Sequence, residues 1–268
     1  MSSKLNKGTV LAALAFAALL GGCERRDGDT ANTDGTVASD SSREGSSMVR
    51  LVNAVPSTAS VDVFADDAAA FSAVAFKTVT PYKRMKDNLV TLELRPTGAA
   101  AGDTVEPLAQ NREMLSDGDR YTIVVLPAEG EGQPKLRVLE EPTDLGDADK
   151  SRLRVVNAAR GFETFDVYLP NSNDPFFDDV DFATEAGFKD MDAGSARIVI
   201  RQDDNGPVVL TLPERNFEAG KTYTIILTNK TPTGREIEAI TLEDTLPVDG
   251  TNPAGINRTA TDTTQRMR

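Results

Sequence analysis

The sequence contains no histidine and no tryptophan, and it has a single cysteine. Without histidine the chain lacks the commonest general base and the commonest metal ligand, so Ser-His and Cys-His catalytic pairs are excluded. One cysteine can form neither a disulfide within the chain nor a thiolate zinc site. The nucleophile-elbow, phosphate-loop and dinucleotide-binding motifs are also absent from the sequence. These absences predict a protein that is not an enzyme and that holds no cofactor.

Basic residues are few relative to acidic ones. The chain has 29 Lys and Arg against 42 Asp and Glu, which gives a formal net charge of -13. Binding to nucleic acid needs basic side chains that neutralise phosphates, and no basic patch stands out in the sequence. We therefore expect no nucleic-acid partner. The enzymatic alternative that the composition leaves open is a hydrolase that uses a pair of carboxylates.

A long apolar run occurs near the N terminus, over residues 10–20, and it is too short to span a bilayer stably. It leads into Leu20-Gly21-Gly22-Cys23. This ending resembles the lipobox of bacterial lipoproteins, and the one cysteine lies where cleavage belongs. The resemblance implies a signal peptide over residues 1–22 and acylation of Cys23. The protein would then be lipid-anchored in the bacterial cell envelope.

The segments that flank the central part of the chain are polar and lack periodicity. Residues 23–47 are rich in Asp, Gly, Ser and Thr, and this composition predicts a disordered tether. In enterobacterial lipoproteins an aspartate directly after the cysteine favours the inner membrane, so the resemblance implies the outer membrane for a chain with Glu24 at this place. Residues 247–268 are predicted to be a flexible tail.

Between these segments one pattern occurs twice. Val-Arg-Leu-Val-Asn-Ala at 49–54 is matched by Leu-Arg-Val-Val-Asn-Ala at 153–158, and an Asp-Val-aromatic element follows each at a fixed distance. The repetition predicts two domains, over residues 48–145 and 151–246. Residues 141–149, with proline, glycine and three aspartates, are predicted to form the connector.

Both copies have the hydrophobic pattern of β-strands. Val90, Leu92 and Leu94 alternate with polar residues, as in half-buried strands. Residues 121–126 and 223–227 are apolar on both faces, as expected of central, well-covered strands. Outside the signal segment no helical periodicity is present. We therefore predict an all-β protein with two tandem immunoglobulin-like antiparallel β-sandwich domains.

A second motif supports this fold class. Leu115-x-x-Gly118-x-x-Tyr121 is repeated as Phe217-x-x-Gly220-x-x-Tyr223. Both resemble the tyrosine corner of such sandwiches, in which the tyrosine bonds to upstream backbone. The alternative is an ordinary tyrosine at a strand edge.

Together these elements resemble a known family. The opening strand and the Val61-Asp62-Val63-Phe64 strand look like the start of the bacterial domain of unknown function 4397, where an Arg-Val-Val-His-Ala-Ser strand precedes a Val-Asp-Val-Tyr strand. Asn53 and Asn157 replace the histidine of that family. The family is typically secreted or cell-surface and has no established activity. The resemblance therefore implies a fold and a compartment rather than a reaction.

Recurring polar residues in the two copies are the candidate site residues. We predict that Arg50 pairs with Asp62, and Arg154 with Asp166, as structural charge pairs that bridge the first two strands; the alternative is a ligand clamp. Asn53 and Asn157 are predicted to bond to backbone where the first strand ends.

Oxygen-bearing residues cluster in the second copy, and such loops can hold calcium. The candidate ligands are Asn173, Asp174, Asp178, Asp179 and Asp181. Their spacing fails the EF-hand pattern, so solvated loops are the main prediction.

The function predicted from the sequence is that of a non-enzymatic envelope lipoprotein whose tandem sandwiches serve in binding or surface structure. Its partners would be the membrane, through Cys23, and an envelope protein or a glycan. A calcium- or glycan-binding surface module is the first alternative, and the carboxylate hydrolase is the second.

Overall fold

A computed structural model describes residues 45–245 apart from 57–59, 87, 101–105, 144–146, 171 and 204–205. The predicted signal peptide, nearly all of the tether and the tail lie outside the described residues. Across the part of the chain that is described, the regular structure consists of β-strands. No helix there is long and apolar enough to cross a membrane.

The first half of the fold comprises strands β1–β8. Their bounds are β1 Ser46–Asn53, β2 Ser60–Ala65, β3 Ala68–Ala75, β4 Lys83–Lys86, β5 Leu89–Pro96, β6 Ala109–Met114, β7 Arg120–Leu126 and β8 Lys135–Glu140. They form two four-stranded sheets with the orders β4-β1-β7-β8 and β3-β2-β5-β6. Within these sheets β1 and β7 pair in parallel, and the other pairs are antiparallel.

The second half comprises strands β9–β18. Their bounds are β9 Lys150–Ala158, β10 Thr164–Tyr168, β11 Phe177–Asp181, β12 Glu185–Asp192, β13 Gly194–Ala196, β14 Val199–Gln202, β15 Val208–Thr211, β16 Arg215–Phe217, β17 Lys221–Asn229 and β18 Ile237–Thr245. They form four-stranded sheets β12-β9-β17-β18 and β11-β10-β14-β15, and a two-stranded sheet β13-β16. The equivalent strands of the two halves thus follow the same order. The predicted all-β class is confirmed.

Each half has its own hydrophobic core between its two larger sheets. In the first half Leu51 of β1 and Val63 of β2 face each other across this core, and Leu92 of β5 joins them. Val155 and Val167, the equivalents of Leu51 and Val63, belong to the second core. The residues that alternate with these point out of each sandwich, so the predicted period of two is confirmed for these strands.

A third hydrophobic core joins the halves. It contains Val52 and Val124 from the first half, and Val156 and Ile226 from the second. The sheets that hold β1 and β9 therefore pack back to back. This is why β7 and β17 are apolar on both faces, as predicted: each is central in its sheet and lies between two cores. The described residues belong to one compact unit.

The two halves also point the same way. Thr228, near the end of β17, donates a hydrogen bond to the carbonyl of Ala54, just after the end of β1, at 2.8 Å. Since β9 and β17 are parallel, β1 and β9 both run towards this end, which we call the apex. The starts of β1 and β9 and the ends of β8 and β18 lie at the opposite end, the base.

Two predicted side-chain to backbone contacts are confirmed in both halves. The hydroxyl of Tyr121 accepts a hydrogen bond from the backbone N–H of Ser116 at 3.1 Å, and that of Tyr223 accepts one from Glu218 at 2.8 Å. The side chain of Asn53 donates to Val74 O of β3, at 3.0 Å, and its oxygen accepts from Val55 N. It thereby ties one sheet of the sandwich to the other.

Candidate functional site

A buried ionic network lies between the halves, on the base side of the third core. Arg50 of β1 binds Asp244 of β18 with both terminal nitrogens, at 2.6 and 3.2 Å. Its Nε donates to the hydroxyl of Thr122 at 2.8 Å. The residue after β8, Glu141, accepts from Arg50 at 3.4 Å and from Arg154 of β9 at 2.8 Å. Glu141 is therefore the carboxylate that both arginines share.

The network repeats the internal symmetry of the sequence. Arg154 donates to Thr224, at 3.2 Å for Nε, just as Arg50 donates to Thr122. The guanidinium of Arg50 lies 4.7 Å from the ring centre of Tyr82, and that of Arg154 lies 4.3 Å from the ring of Phe188. All four charged members are buried, with Arg50 4%, Glu141 2%, Arg154 3% and Asp244 6% exposed.

Burial and the neighbouring charges shift the pKa values of this network in opposite directions. Burial raises the pKa of Glu141, but the charges of Arg154 and Arg50 outweigh it, so the pKa lies below its usual value. Burial lowers the pKa of Arg50, and its electrostatic interactions with Tyr82, Asp244 and Glu141 raise it above its usual value overall. Both groups therefore stay ionised at neutral pH, and two cations balance two carboxylates in the interface.

Two further ion pairs join the halves around the third core. Lys77 pairs with Glu238 at 3.2 Å, and Arg137 pairs with Glu185 at 2.5 Å. Both pairs are partly exposed, so we expect them to contribute less to the stability of the interface than the buried network does.

The predicted pairs of Arg50 with Asp62 and of Arg154 with Asp166 are wrong. The strands that follow each other in sequence, β1 and β2, belong to different sheets. Arg50 alternates with core residues of β1 and therefore points towards the other half. Asp62 alternates with core residues of β2 and points to the outer face of its sheet. The two side chains face in opposite directions.

The two aspartates stabilise irregular backbone instead. Asp62 accepts hydrogen bonds from Ala73 N at 2.6 Å and Gly98 N at 2.9 Å. Asp166 accepts one from Asp179 N at 3.2 Å. Ala73 and Asp179 both have left-handed backbone, with φ of 53° and 51°, where the neighbouring strand shifts its register. Each aspartate thus caps a β-bulge, and this accounts for its recurrence.

Of the predicted calcium ligands, only two come together with a third acid. Carboxylate oxygens of Asp166, Asp178 and Asp179 lie within 4.8 Å of one another. Asp174 and Asp181 lie outside this cluster, and Asn173 is exposed. Asp166 is the one buried member, and it is already engaged by the Asp179 backbone.

The apex carries a cleft of about 350 Å³ that both halves line. Four prolines form much of its wall: Pro56, Pro127, Pro134 and Pro232. Arg160 after β9 and Asn229 of β17 supply polar groups from the second half. The Asn229 side chain is occupied in shaping this wall, since it accepts from Arg160 N at 2.7 Å and donates to Arg160 O at 3.1 Å. The cleft exists because the halves are packed together.

The tyrosines do not form a flat stacking surface. Three of the four are buried: Tyr121, Tyr168 and Tyr223. The fourth, Tyr82, packs its ring against Arg50. With no tryptophan in the sequence, stacking of sugar rings on Tyr or Trp is not available in the described part of the chain.

Comparison with known families finds one match. Residues 47–168 match the family described as domain of unknown function (DUF4397). The match covers less than half of the chain. It extends from β1 through β10, so it includes the first half and the first two strands of the second. This agrees with the resemblance seen in the sequence, and a second copy is not matched separately. No curated protein matches the chain.

Among solved structures the similarities are distant. The family 26 carbohydrate-binding module CBMbc of Eubacterium rectale Amy13K, in complex with maltoheptaose, is 10% identical, with 76% of this chain and 98% of that chain covered and a TM-score of 0.24. A streptococcal virulence factor that binds alpha-glucan is 11% identical, with 71% and 95% covered and a TM-score of 0.23. TM-scores this low support no inference about fold or ligand.

Sequence reasoning missed Glu141 and Asp244. Glu141 was predicted to lie in the connector, but it is buried and holds two arginines. A signal for it was present: Glu141 follows the last residue of β8, and Asp244 occupies the matching place in β18. In both halves the preceding glutamate, Glu140 or Glu243, pairs across the sheet with the corner tyrosine. An acid at the same place in both copies indicates a shared structural role.

Proposed function

We propose that this chain is a non-enzymatic, lipid-anchored protein of the bacterial cell envelope. In this proposal its two tandem immunoglobulin-like sandwiches act as one rigid module for binding or for surface structure. The observation that carries the proposal is the buried interface between the halves. It combines the third core with the Arg50, Arg154, Glu141 and Asp244 network, and so it fixes the geometry of the pair.

The arrangement of the chain ends supports a tethered module. β1 begins at the base, and the lipobox-like segment that ends at Cys23 precedes it in the sequence. A tether that joins the module at the base leaves the apex, with its cleft, free of the point of attachment. Loops at one end of a β-sandwich are a common place for recognition. We infer that the apex cleft faces the partner, an envelope protein or a glycan.

Glu141 does not fit the role of a hydrolase acid within the interface network. A carboxylate-pair mechanism needs one acid whose pKa is raised so that it can donate a proton. Glu141 has a lowered pKa instead, because arginines surround it. It serves the interface and is not available as a general acid.

Replacing Cys23 with serine is expected to release the protein from the membrane fraction. Serine cannot receive the thioether-linked diacylglycerol, and three acyl chains hold a protein firmly at about 0.8 kcal/mol per buried methylene. Cell fractionation and labelling with radioactive palmitate measure the change. The control is Ser39→Ala, which changes a tether residue without touching the cysteine. A Cys23→Ser protein that stays in the membrane fraction and carries label would refute the anchor.

The second candidate function is calcium binding at Asp166, Asp178 and Asp179, and their clustering is the observation that favours it. In that case calcium at about 100 times its Kd adds about 2.7 kcal/mol of stability. Asp178→Asn should abolish this increase in melting temperature, whereas Asp174→Asn, outside the cluster, should preserve it. Equal melting temperatures with calcium and with chelator would eliminate this candidate.

A further inference from the structure

The first half has an open edge between β3 and β4, the outer strands of its two sheets. A groove of about 420 Å³ lies there, which we call the edge groove. Its floor is apolar: Ala65, Ala70 and Met85 pack against the first core, and Val90 belongs to that core. This volume lies within the range of small-molecule sites, which are mostly apolar with a few polar groups.

Side chains fill the equivalent edge of the second half. Leu169 and Phe176 occupy the repeat positions of Ala65 and Ala70, and both pack against the second core. The equivalence of Ala70 and Phe176 is clear from a shared contact. Lys83 donates to Ala70 O at 2.7 Å, and Lys189 donates to Phe176 O at 2.9 Å. The edge groove therefore exists because alanine stands where the other copy has large apolar residues.

The charge on β4 also differs between the halves. The rim of the edge groove includes Lys83, Arg84 and Lys86 of β4. In β12 the equivalent positions of Arg84 and Lys86 are aspartates, Asp190 and Asp192. A local cationic rim on a chain with a formal net charge of -13 favours an anionic ligand.

One acidic residue, Asp66, also lines the groove, but it does not neutralise the basic rim. Asp66 lies in the turn between β2 and β3, and its Oδ1 accepts a hydrogen bond from Thr91 N at 2.8 Å. Its carboxylate is thereby held towards the β5 backbone. The floor remains apolar and the β4 side of the rim remains basic.

We propose that the edge groove binds a free single-chain amphiphile with an anionic head group, such as a long-chain carboxylate. The alkyl chain lies along Ala65, Ala70 and Met85, and the carboxylate meets the basic rim, with Lys83 on the same face of β4 as Met85 and with Arg84 and Lys86 beside it. Apolar contact supplies affinity, and the rim selects the charge of the head group. This site is separate from the apex cleft and does not depend on the anchor at Cys23.

Titration calorimetry with laurate, below its micelle concentration, tests the proposal. Every variant carries Cys23→Ser in the full chain, so an attached acyl chain cannot compete. Laurate is expected to bind with one site per chain. Acetate lacks the alkyl chain and dodecyltrimethylammonium has the opposite charge, so each is expected to bind about tenfold more weakly or worse.

Ala70→Phe introduces the residue of the second half and fills the groove, so laurate affinity should fall about tenfold or more. Phe176→Ala is the matched change in the second half and should leave laurate affinity unchanged. Arg84→Asp should weaken laurate and strengthen dodecyltrimethylammonium. Melting temperatures show whether each variant is folded, and Ala65→Leu replaces Ala70→Phe if that chain does not fold.

Three results would overturn the proposal. The first is that laurate fails to bind the parent chain, the second is that it binds Ala70→Phe as tightly as the parent, and the third is that it binds no better than acetate. Sedimentation velocity adds a fourth: a dimer that Ala70→Phe disperses would assign the edge groove to a second copy of the chain. None of these outcomes changes the fractionation result expected for Cys23→Ser, so the lipid-anchor proposal and the edge-groove proposal are tested independently.

Discussion

Replacing Glu141 with glutamine is expected to lower the free energy of unfolding by about 3–5 kcal/mol, which is typical when one partner of a buried charge network is removed. Glutamine keeps the shape of the side chain but leaves Arg50 and Arg154 with one carboxylate, Asp244, between them. Arg154 then faces a buried environment without a negative partner at 2.8 Å. Equilibrium unfolding in urea measures the loss.

The same residue sets a part of the dependence of stability on pH. The pKa of Glu141 is lower in the folded chain than its ordinary value, which is about 4.3 in an unfolded chain. Its contribution is therefore fully present above about pH 4.3 and is lost as the pH falls through the folded value. Glu141→Gln should accordingly show a shallower loss of stability below about pH 4.3 than the parent.

Glu129→Gln provides the control for both measurements. Glu129 pairs with Lys135 at 3.9 Å and is largely exposed, with 78% of its side-chain surface accessible. Exposed pairs of this kind contribute about 0–1 kcal/mol. If Glu141→Gln were no more destabilising than Glu129→Gln, the network would not be what holds the halves together.

The strands were predictable because their signal is local. Alternation at Val90, Leu92 and Leu94 needs no knowledge of distant residues, and the same holds for the spacing of Gly118 and Tyr121 in the corner motif. The sequence also indicated that β7 is apolar on both of its faces. The sequence did not reveal which surface covers its second face, and the structure shows that this surface is the other half of the chain.

The partners of Arg50 were not predictable from neighbouring residues. Its bidentate acceptor, Asp244, lies 194 residues away, and the nearer Asp62 has the opposite charge and a recurring position. The pairing of Arg50 with Asp62 assumed that consecutive strands are neighbours in one sheet. In this sandwich β1 pairs with β4 and β7, so β1 and β2 lie in opposite sheets. Charge alone could not reveal this topology.

Comparison of the copies would have recovered more than either copy gives alone. Acids recur at Glu141 and Asp244, and this recurrence is the mark of the network. The differences are as informative: Ala70 against Phe176, and Arg84 against Asp190. Residues that the two copies share are those that both halves need in order to fold and pack. Residues that differ between the copies indicate properties that only one half has.

Replacing Asn157 with alanine is expected to lower the free energy of unfolding by about 2–6 kcal/mol. The Asn157 side chain donates to Val180 O and accepts from Ala159 N, both at 3.0 Å, and it is fully buried. Alanine leaves both backbone groups without these bonds, at about 1–3 kcal/mol for each buried unsatisfied group. Urea unfolding measures the change, and Asn173→Ala, at an exposed position, should stay within about 0.5 kcal/mol of the parent.

Asn53→Ala removes the equivalent bonds in the first half, and comparison of the two variants tests how the halves unfold. The third core and the Glu141 network make each half part of the other's environment. A loss in either half should therefore lower the stability of one common transition, seen at the same urea concentration by fluorescence of the tyrosines and by circular dichroism. If Asn53→Ala shifted one transition while a second stayed at the parental position, the halves would unfold independently, and the interface would be too weak to make them a single rigid module.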